Sequence, residues 1–221
     1  MDFTKGFYQT ELEEESRKYT ATAIPGVLFF NYLRSPLGLS SSPPFYQNLV
    51  ERIMMGLKND TCIVYLDDVL SGANTFDKMI SNLREIFSRI RSSKMLLKPS
   101  KVQLFQTKLK FLGVILSREG IAVNPEKIEA VSKMLPPKNP KGIKSFLGMV
   151  SFFRKFIKSF SKIALPLTEL LKKGTPFVWG DKQHEAWLIL KEKLISAPVL
   201  MHPDTSKPFT LATDSSDYAI A

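Results

Sequence analysis

Two adjacent acids, Asp67 and Asp68, are the residues of this chain best suited to chemistry, and the run TCIVYLDDVL from Thr61 to Leu70 sets them apart. An apolar, β-prone stretch, Cys62 to Leu66, leads straight into them. Val69-Leu70 follows, and Ser71-Gly72 breaks the pattern. Ile, Val and Tyr favour a pleated, buried strand, and Asp tolerates tight turns because its short carboxylate bonds nearby backbone. The run predicts a buried hairpin with two carboxylates at its tip. Two unpaired carboxylates side by side resist joint ionisation, so burying them is costly. A cation removes that cost, and Mg²⁺ suits carboxylates and substrate phosphates. Two such ions, roughly 3.5–4 Å apart, clamp the attacking and leaving oxygens of a phosphoryl transfer. An exposed turn that merely contains Asp-Asp also fits these ten residues, so the rest of the chain has to decide.

Composition narrows the field. The chain has 221 residues, enough for one large domain or two small ones, and 44% of them are apolar, enough for a real core. Its formal charge of +10 points to a polyanionic partner, nucleic acid before membrane. Cys62 is the sole cysteine, which excludes an internal disulfide and suits an intracellular setting. His184 and His202 lack cysteine partners, so no zinc site is expected. No apolar run reaches the length of a membrane span, and MDFTKGFYQT lacks the basic-then-apolar order of a signal peptide.

The elements that must position Asp67 and Asp68 follow from periodicity. Two strand-like pieces, residues 19–24 and 27–33, flank a Pro25-Gly26 turn. Residues 35–44, rich in Ser, Pro and Gly, read as a loop that opens a helix at Pro43 or Pro44. Tyr46, Leu49, Val50, Ile53, Met54 and Leu57 line that helix, and Asn59-Asp60 ends it. A second helix starts near Asn74 or Thr75. Residues 108–116 and 121–123 read as strands, and Asn124-Pro125-Glu126 as a helix start. A single helix over 141–160 carries an apolar stripe, with Lys144, Lys155, Lys158 and Lys162 opposite it. Such lysines are either a solvated face or a track for a phosphate backbone. Gly174-Thr175-Pro176 marks a boundary, a helix spans 181–195, and 207–214 reads as a strand ending in an acid.

In that order, the segments DFTKGFYQ, KYTA, SPLGLSSSP, IVYLDD, LLKPSK, KFLG, GIAVNPEKI, SFLGMVSFFRKFI, FSKIALPLTELLKK, APVL and KPFTLATDSSDYAI resemble the reverse transcriptase of gypsy-type LTR retrotransposon pol polyproteins. The resemblance covers essentially the whole chain. It implies an RNA-directed DNA polymerase, a nucleotidyltransferase, within a polyprotein that serves DNA integration. It also implies an α+β fold: a palm of small antiparallel sheet backed by helices over 1–123, helical thumb over 124–175, and tether with a truncated RNase H-like α/β start over 176–221. Asp2, Asp67 and Asp68 match the catalytic, metal-holding aspartates, with two Mg²⁺ ions as cofactors and Mn²⁺ as a substitute. Asp2 and Asp67 would bridge the metals, and Asp68 would support them.

By the same resemblance, Phe7 matches the aromatic residue under the nucleotide sugar, where a bulky ring clashes with a 2′-hydroxyl. Tyr8 is its neighbour in that pocket, Leu37 lines the nucleotide site, and Gln47 faces the template strand. Leu112-Gly113 matches a hairpin that grips the primer end, and Lys144, Lys155, Lys158 and Lys162 match the duplex-holding thumb. Asp214 matches the first RNase H aspartate, with the other acids of that site lying past Ala221. The implied partners are an RNA or DNA template with primer, deoxynucleoside triphosphates and the rest of the polyprotein, without a membrane. Pairing with a second subunit stays open, and the implied location is a cytoplasmic particle or the nucleus.

The sequence also departs from the family. The basic fingers that hold the triphosphate are expected before Asp2, where the chain has only Met1, so Asp2 lacks a preceding strand to hold it. Thr22, Leu37 and Val114 stand where the family usually has Phe, Phe and His. RNase H cleavage by this chain alone is not expected. The chain reads as an internal fragment, with three outcomes open: a polymerase, a catalytically dead nucleic-acid-binding remnant, or an unstable product.

Overall fold

A computed structural model describes residues 1–26, 28–57, 60–203, 206–209, 215–216 and 219–220. The chain forms two compact units, Met1–Phe105 and Gln106–Ala221. Each encloses its own apolar core.

The first unit opens with a 3₁₀ turn, Gly6–Gln9, and the short helix α1, Glu14–Arg17. Strands β1, Thr22–Ile24, and β2, Leu28–Phe30, form an exposed antiparallel hairpin about the Pro25-Gly26 turn, Gly26 having φ +76°. Helix α2, Ser42–Ile53, starts with prolines in its first turn as expected. It ends before Leu57, with Gly56 left-handed at φ +84°. Strands β3, Cys62–Tyr65, and β4, Asp68–Ser71, pair antiparallel in the register Cys62↔Ser71 to Tyr65↔Asp68. Burial alternates along β3: Cys62 and Val64 face the core, Ile63 and Tyr65 face out. Helix α3, Phe76–Ser92, is capped by the Thr75 hydroxyl, which accepts from the Lys78 N–H. Phe3, Tyr46, Val50, Cys62, Val64, Val69, Ile86 and Ile90 make one cluster, so α2 and α3 back the hairpin.

The second unit holds a three-stranded meander: β5, Lys108–Phe111, β6, Val114–Ser117, and β7, Gly120–Val123. What reads as one strand over 108–116 is a hairpin, turned at Leu112 (φ +45°) and Gly113 (φ +81°). Two positive φ values in a two-residue loop match the right-handed twist of the strands. Helix α4, Pro125–Ser132, is capped by Asn124, whose side chain accepts from the Glu126 N–H.

The helix expected over 141–160 is two. Helix α5, Pro140–Phe152, gives way to a 3₁₀ turn, Arg154–Phe156; Ser159 is left-handed at φ +62°, and α6, Phe160–Glu169, begins. Phe153, Phe156 and Ile157 stay buried through the break, so helical spacing here reported burial and not a continuous backbone. Helix α7, Asp181–Ile195, packs on α6 and α4. After it, Leu200 bridges Ile121, adding a strand-like segment to the edge of β7. The described chain closes with β8, Ser215–Ser216, and β9, Ala219–Ile220. The segment 210–214, Asp214 included, lies outside the described residues. Among the described residues, no helix is long and apolar enough to cross a membrane.

Candidate active site

The hairpin turn is Leu66-Asp67, since Tyr65 pairs directly with Asp68. Leu66 has φ +48°, a left-handed conformation that costs a non-glycine residue about 1–2 kcal/mol. The α2 side chain of Gln47 meets that strained residue. Its carboxamide oxygen accepts from the Leu66 N–H at 2.5 Å, and its nitrogen donates to the Val64 carbonyl at 3.3 Å and to Glu51 at 2.8 Å. Gln47, expected to face the template strand, thus spends its amide on the tip of the β3–β4 hairpin.

Asp2 is not loose. The Val69 N–H donates to the Met1 carbonyl at 2.9 Å, and the Phe3 N–H donates to the Asp67 carbonyl at 3.3 Å. On the other side the Lys98 N–H donates to the Asp2 carbonyl, and the Thr4 N–H to the Leu96 carbonyl, both at 2.9 Å. Asp2 bridges Asp68 and Phe3 bridges Leu97. Asp2, expected to lack a preceding strand to hold it, is instead held by backbone bridges on both sides of residues 1–4, between β4 and residues 96–98. Gln9 reinforces this, accepting from the Leu96 N–H at 2.7 Å and donating to the Thr4 carbonyl at 2.6 Å.

These backbone pairings gather Asp2, Asp67 and Asp68, although Asp2 is far from the others in sequence. Burial pushes the Asp67 carboxyl up from its ordinary value, the charges of Asp2 and Asp68 push it further, and Lys101 opposes them. Lys101 forms an ion pair with Asp2, and that hydrogen bond and charge hold the ammonium pKa up. Oδ1 of Asp67 is buried with no hydrogen-bond partner, and so is the hydroxyl of Tyr46. Burial, with Asp67 and Asp2 nearby, pushes the Tyr46 hydroxyl up, so it stays neutral. Gly6 brings backbone against both groups: a Cβ there would collide with Asp67 Oδ1 and lie 2.6 Å from the Tyr46 hydroxyl.

An unpaired buried carboxylate oxygen on Asp67, which feels the charges of Asp2 and Asp68, suits a hard divalent cation. No group of three acid, His or Cys side chains among the described residues converges enough to hold an ion alone. Mg²⁺ does not need that: it binds through one or two carboxylates plus substrate phosphates and water.

The remaining expected residues are placed as follows. Phe7 is half-buried, its ring 5.3 Å from that of Tyr46 and edge-on to it. Tyr8 is exposed, and Leu37 is exposed in the loop before α2. In the second unit, Leu112 and Gly113 form the β5–β6 turn, and a Cβ on Gly113 would lie 3.2 Å from the Phe152 ring. The four lysines do not share one helix face, because the helix breaks. Lys144 is on α5, Lys155 in the 3₁₀ turn, Lys158 after it and Lys162 on α6, all exposed. Sequence reasoning missed Lys101, Gly6, Tyr46 and Gln9. Lys101 lay in the LLKPSK segment and Gly6 and Gln9 in DFTKGFYQ; Tyr46 read only as core.

A family model described as reverse transcriptase (RNA-dependent DNA polymerase) matches residues 1–116, more than half of the chain. The chain belongs to the reverse transcriptase family. A second model, the RNase H-like domain found in reverse transcriptase, matches residues 179–221 of this reverse transcriptase chain. The chain is 34% identical over its full length to the retrovirus-related Pol polyprotein from transposon 297 of Drosophila melanogaster, covering 21% of that protein. It is 32% identical to the Pol polyprotein from transposon opus of the same species, covering 23% of it. The Tf2-3 transposon polyprotein of Schizosaccharomyces pombe is 32% identical over 86% of the chain and 14% of its own length. The chain thus spans less than a quarter of the length of each of these polyproteins.

Among solved structures, a foamy viral protease–reverse transcriptase in complex with double-stranded DNA superposes with TM-score 0.87. The identity is 22%, over 97% of this chain and 38% of that one. The same viral protein in complex with an RNA/DNA hybrid gives TM-score 0.81 at 23% identity, over 94% and 28%. At such identities the likeness shows the fold: α+β, with small antiparallel sheets and a helical part. Reverse transcriptases generally use divalent metal ions.

Proposed function

We propose that this chain is the palm, thumb and part of the RNase H-like domain of a gypsy-type LTR retrotransposon reverse transcriptase, dividing near residues 123 and 175. It extends a DNA primer on an RNA or DNA template, using deoxynucleoside triphosphates. The observation that carries the reading is the bridge between Asp2 and Asp68, which joins acids 66 residues apart side by side on neighbouring backbone segments. The foamy viral relatives' duplex and hybrid complexes support the choice of a template–primer as partner, and the net charge of +10 supports a polyanion.

Asp2, Asp67 and Asp68 are the groups that would hold two Mg²⁺, or Mn²⁺ in their place. Bound there, the cations would stabilise charge on the entering and leaving oxygens of nucleotidyl transfer. The chain's own residues do the rest. Phe7, backed by Tyr46, presents a bulky ring that would disfavour a 2′-hydroxyl, and Tyr8 and Leu37 would line the same nucleotide site. Lys101 neutralises Asp2 when no cation is bound. Leu112-Gly113 would seat the primer end, and Lys144, Lys155, Lys158 and Lys162 would meet duplex phosphates in a salt-dependent way. Asp214 would be the first acid of the RNase H-like part. The partners extend to the rest of the polyprotein, in a cytoplasmic particle or the nucleus.

Primer extension tests this, with an RNA template and DNA primer in Mg²⁺ and then Mn²⁺, beside the double variant Asp67→Asn, Asp68→Asn. Extension that vanishes in the double variant is the expected result. The Lys101–Asp2 ion pair, which occupies one of the acids, favours a second reading: a non-catalytic nucleic-acid-binding remnant. No extension, with duplex binding that falls steeply with salt and ignores Mg²⁺, would replace the first reading by the second.

A further inference from the structure

The Gln47 carboxamide brackets the tip of the β3–β4 hairpin on both sides of its bend. It accepts from the N–H of Leu66, the left-handed residue that directly precedes Asp67, and donates to the carbonyl of Val64. Its second N–H goes to Glu51, one turn along α2, at 2.8 Å. Both donors and one acceptor position of the amide are therefore used inside the protein. That bonding also sets which way the amide is turned, because the Leu66 N–H needs an acceptor and Val64 and Glu51 need donors. Helix α2 is anchored by Tyr46 and Val50, both fully buried, with Met54 buried just past its end, so the clamp projects from a rigid support.

We propose that Gln47 is a positioning residue for the Asp67-Asp68 turn, with Glu51 orienting its amide. The strained Leu66 backbone sets where the two carboxylates point. A residue in that conformation persists only where its surroundings over-determine it, and Gln47 supplies a bond to its N–H. The role differs from a contact with template or nucleotide, since no donor of the amide is left for one. It rests on the proposed polymerase reading for its consequence, while the clamp itself is measurable without catalysis.

The test compares the full chain with Gln47→Met, which keeps bulk and loses every polar contact, and with Gln47→Glu, which keeps the acceptor facing Leu66. Three readouts are taken: hydrogen exchange of the Leu66 amide, Mn²⁺ binding followed by the resonance of free Mn²⁺, and kcat and KM for nucleotide. In Gln47→Met the Leu66 amide exchanges at least tenfold faster and Mn²⁺ binds several-fold more weakly. Its kcat falls by about tenfold to a hundredfold, in keeping with misplacement of about 1 Å, while KM for nucleotide holds. Gln47→Glu keeps Leu66 protected to within a few-fold. The thiol of Cys62 in the same core serves as the folding control.

Unchanged Leu66 exchange and unchanged Mn²⁺ affinity in Gln47→Met would overturn the proposal. So would a raised KM with kcat intact, which would return Gln47 to the substrate. If Gln47→Met does not fold, Leu66 exchange in Gln47→Glu as fast as in a free turn would overturn it. If the wild-type chain shows no extension but Leu66 exchange and Mn²⁺ affinity shift as stated, the polymerase reading fails and the clamp stands.

Discussion

Replacing Tyr46 by Phe should stabilise the first unit, an unusual sign for a change at a fully buried position. The Tyr46 ring is 0% exposed, and Phe3 and Phe7 meet it edge-on at 6.2 and 5.3 Å. Phenylalanine keeps both ring contacts and the volume of the ring. The hydroxyl is buried with no hydrogen-bond partner, and it stays neutral because burial and the nearby acids Asp67 and Asp2 push its pKa up. An unsatisfied buried hydroxyl forfeits about 1–3 kcal/mol. Partial relaxation reduces the gain from removing it to about 1–2 kcal/mol. For a unit of this size, each kcal/mol raises the unfolding midpoint by roughly 4 °C, so the expected shift is about 4–8 °C upward.

The chain carries its own separate probes for this measurement. Cys62, the sole cysteine, is 3% exposed in the core of the first unit. Both tryptophans, Trp179 and Trp187, belong to the second. Thiol labelling during a temperature ramp reports the unit that holds Tyr46, and tryptophan fluorescence supplies the reference. A labelling midpoint in Tyr46→Phe that is unchanged or lower would refute the reasoning, and would mean that the hydroxyl is satisfied in solution.

Three further substitutions follow from the same contacts. Lys101→Met removes the cation that pairs with Asp2, so Mn²⁺ should bind several-fold more tightly; equal or weaker binding would show that Lys101 does not compete for the site. Gly6→Ala sets a Cβ against the Asp67 carboxylate and the Tyr46 ring, an overpacking cost of about 1–3 kcal/mol. Its Cys62 labelling midpoint should fall, and a wild-type value would count against the close approach. Lys191 donates to the Ser132 and Met134 carbonyls at 2.9 and 2.8 Å and lies 4.4 Å from the Trp187 ring. Lys191→Met should cost about 1–2 kcal/mol through the lost bonds and cation–π contact, seen as an earlier tryptophan transition and refuted by an unmoved one.

Sequence by itself determined the local elements. The apolar run from Cys62 and the acids after it specify the hairpin, because alternation and turn chemistry act between neighbours. Asn124 and Thr75 mark helix starts because a cap needs only a side chain and the next turn. The order of short motifs carried the family and named Asp2, Asp67 and Asp68 together. Tertiary structure decided what crosses between elements. Backbone hydrogen bonds with β4 and residues 96–98 hold residues 1–4 between them, where sequence proximity offered Asp2 no neighbour. The Lys101–Asp2 ion pair joins residues 99 positions apart, and no local spacing encodes such a pair. Gln47 turned inward because the strained Leu66 N–H lies within reach of α2, a fact of packing and not of pattern. The helix over 141–160 broke for a related reason. Buried residues keep their spacing through a 3₁₀ turn, so periodicity records which side chains face the core and leaves the path of the backbone to the packing around it.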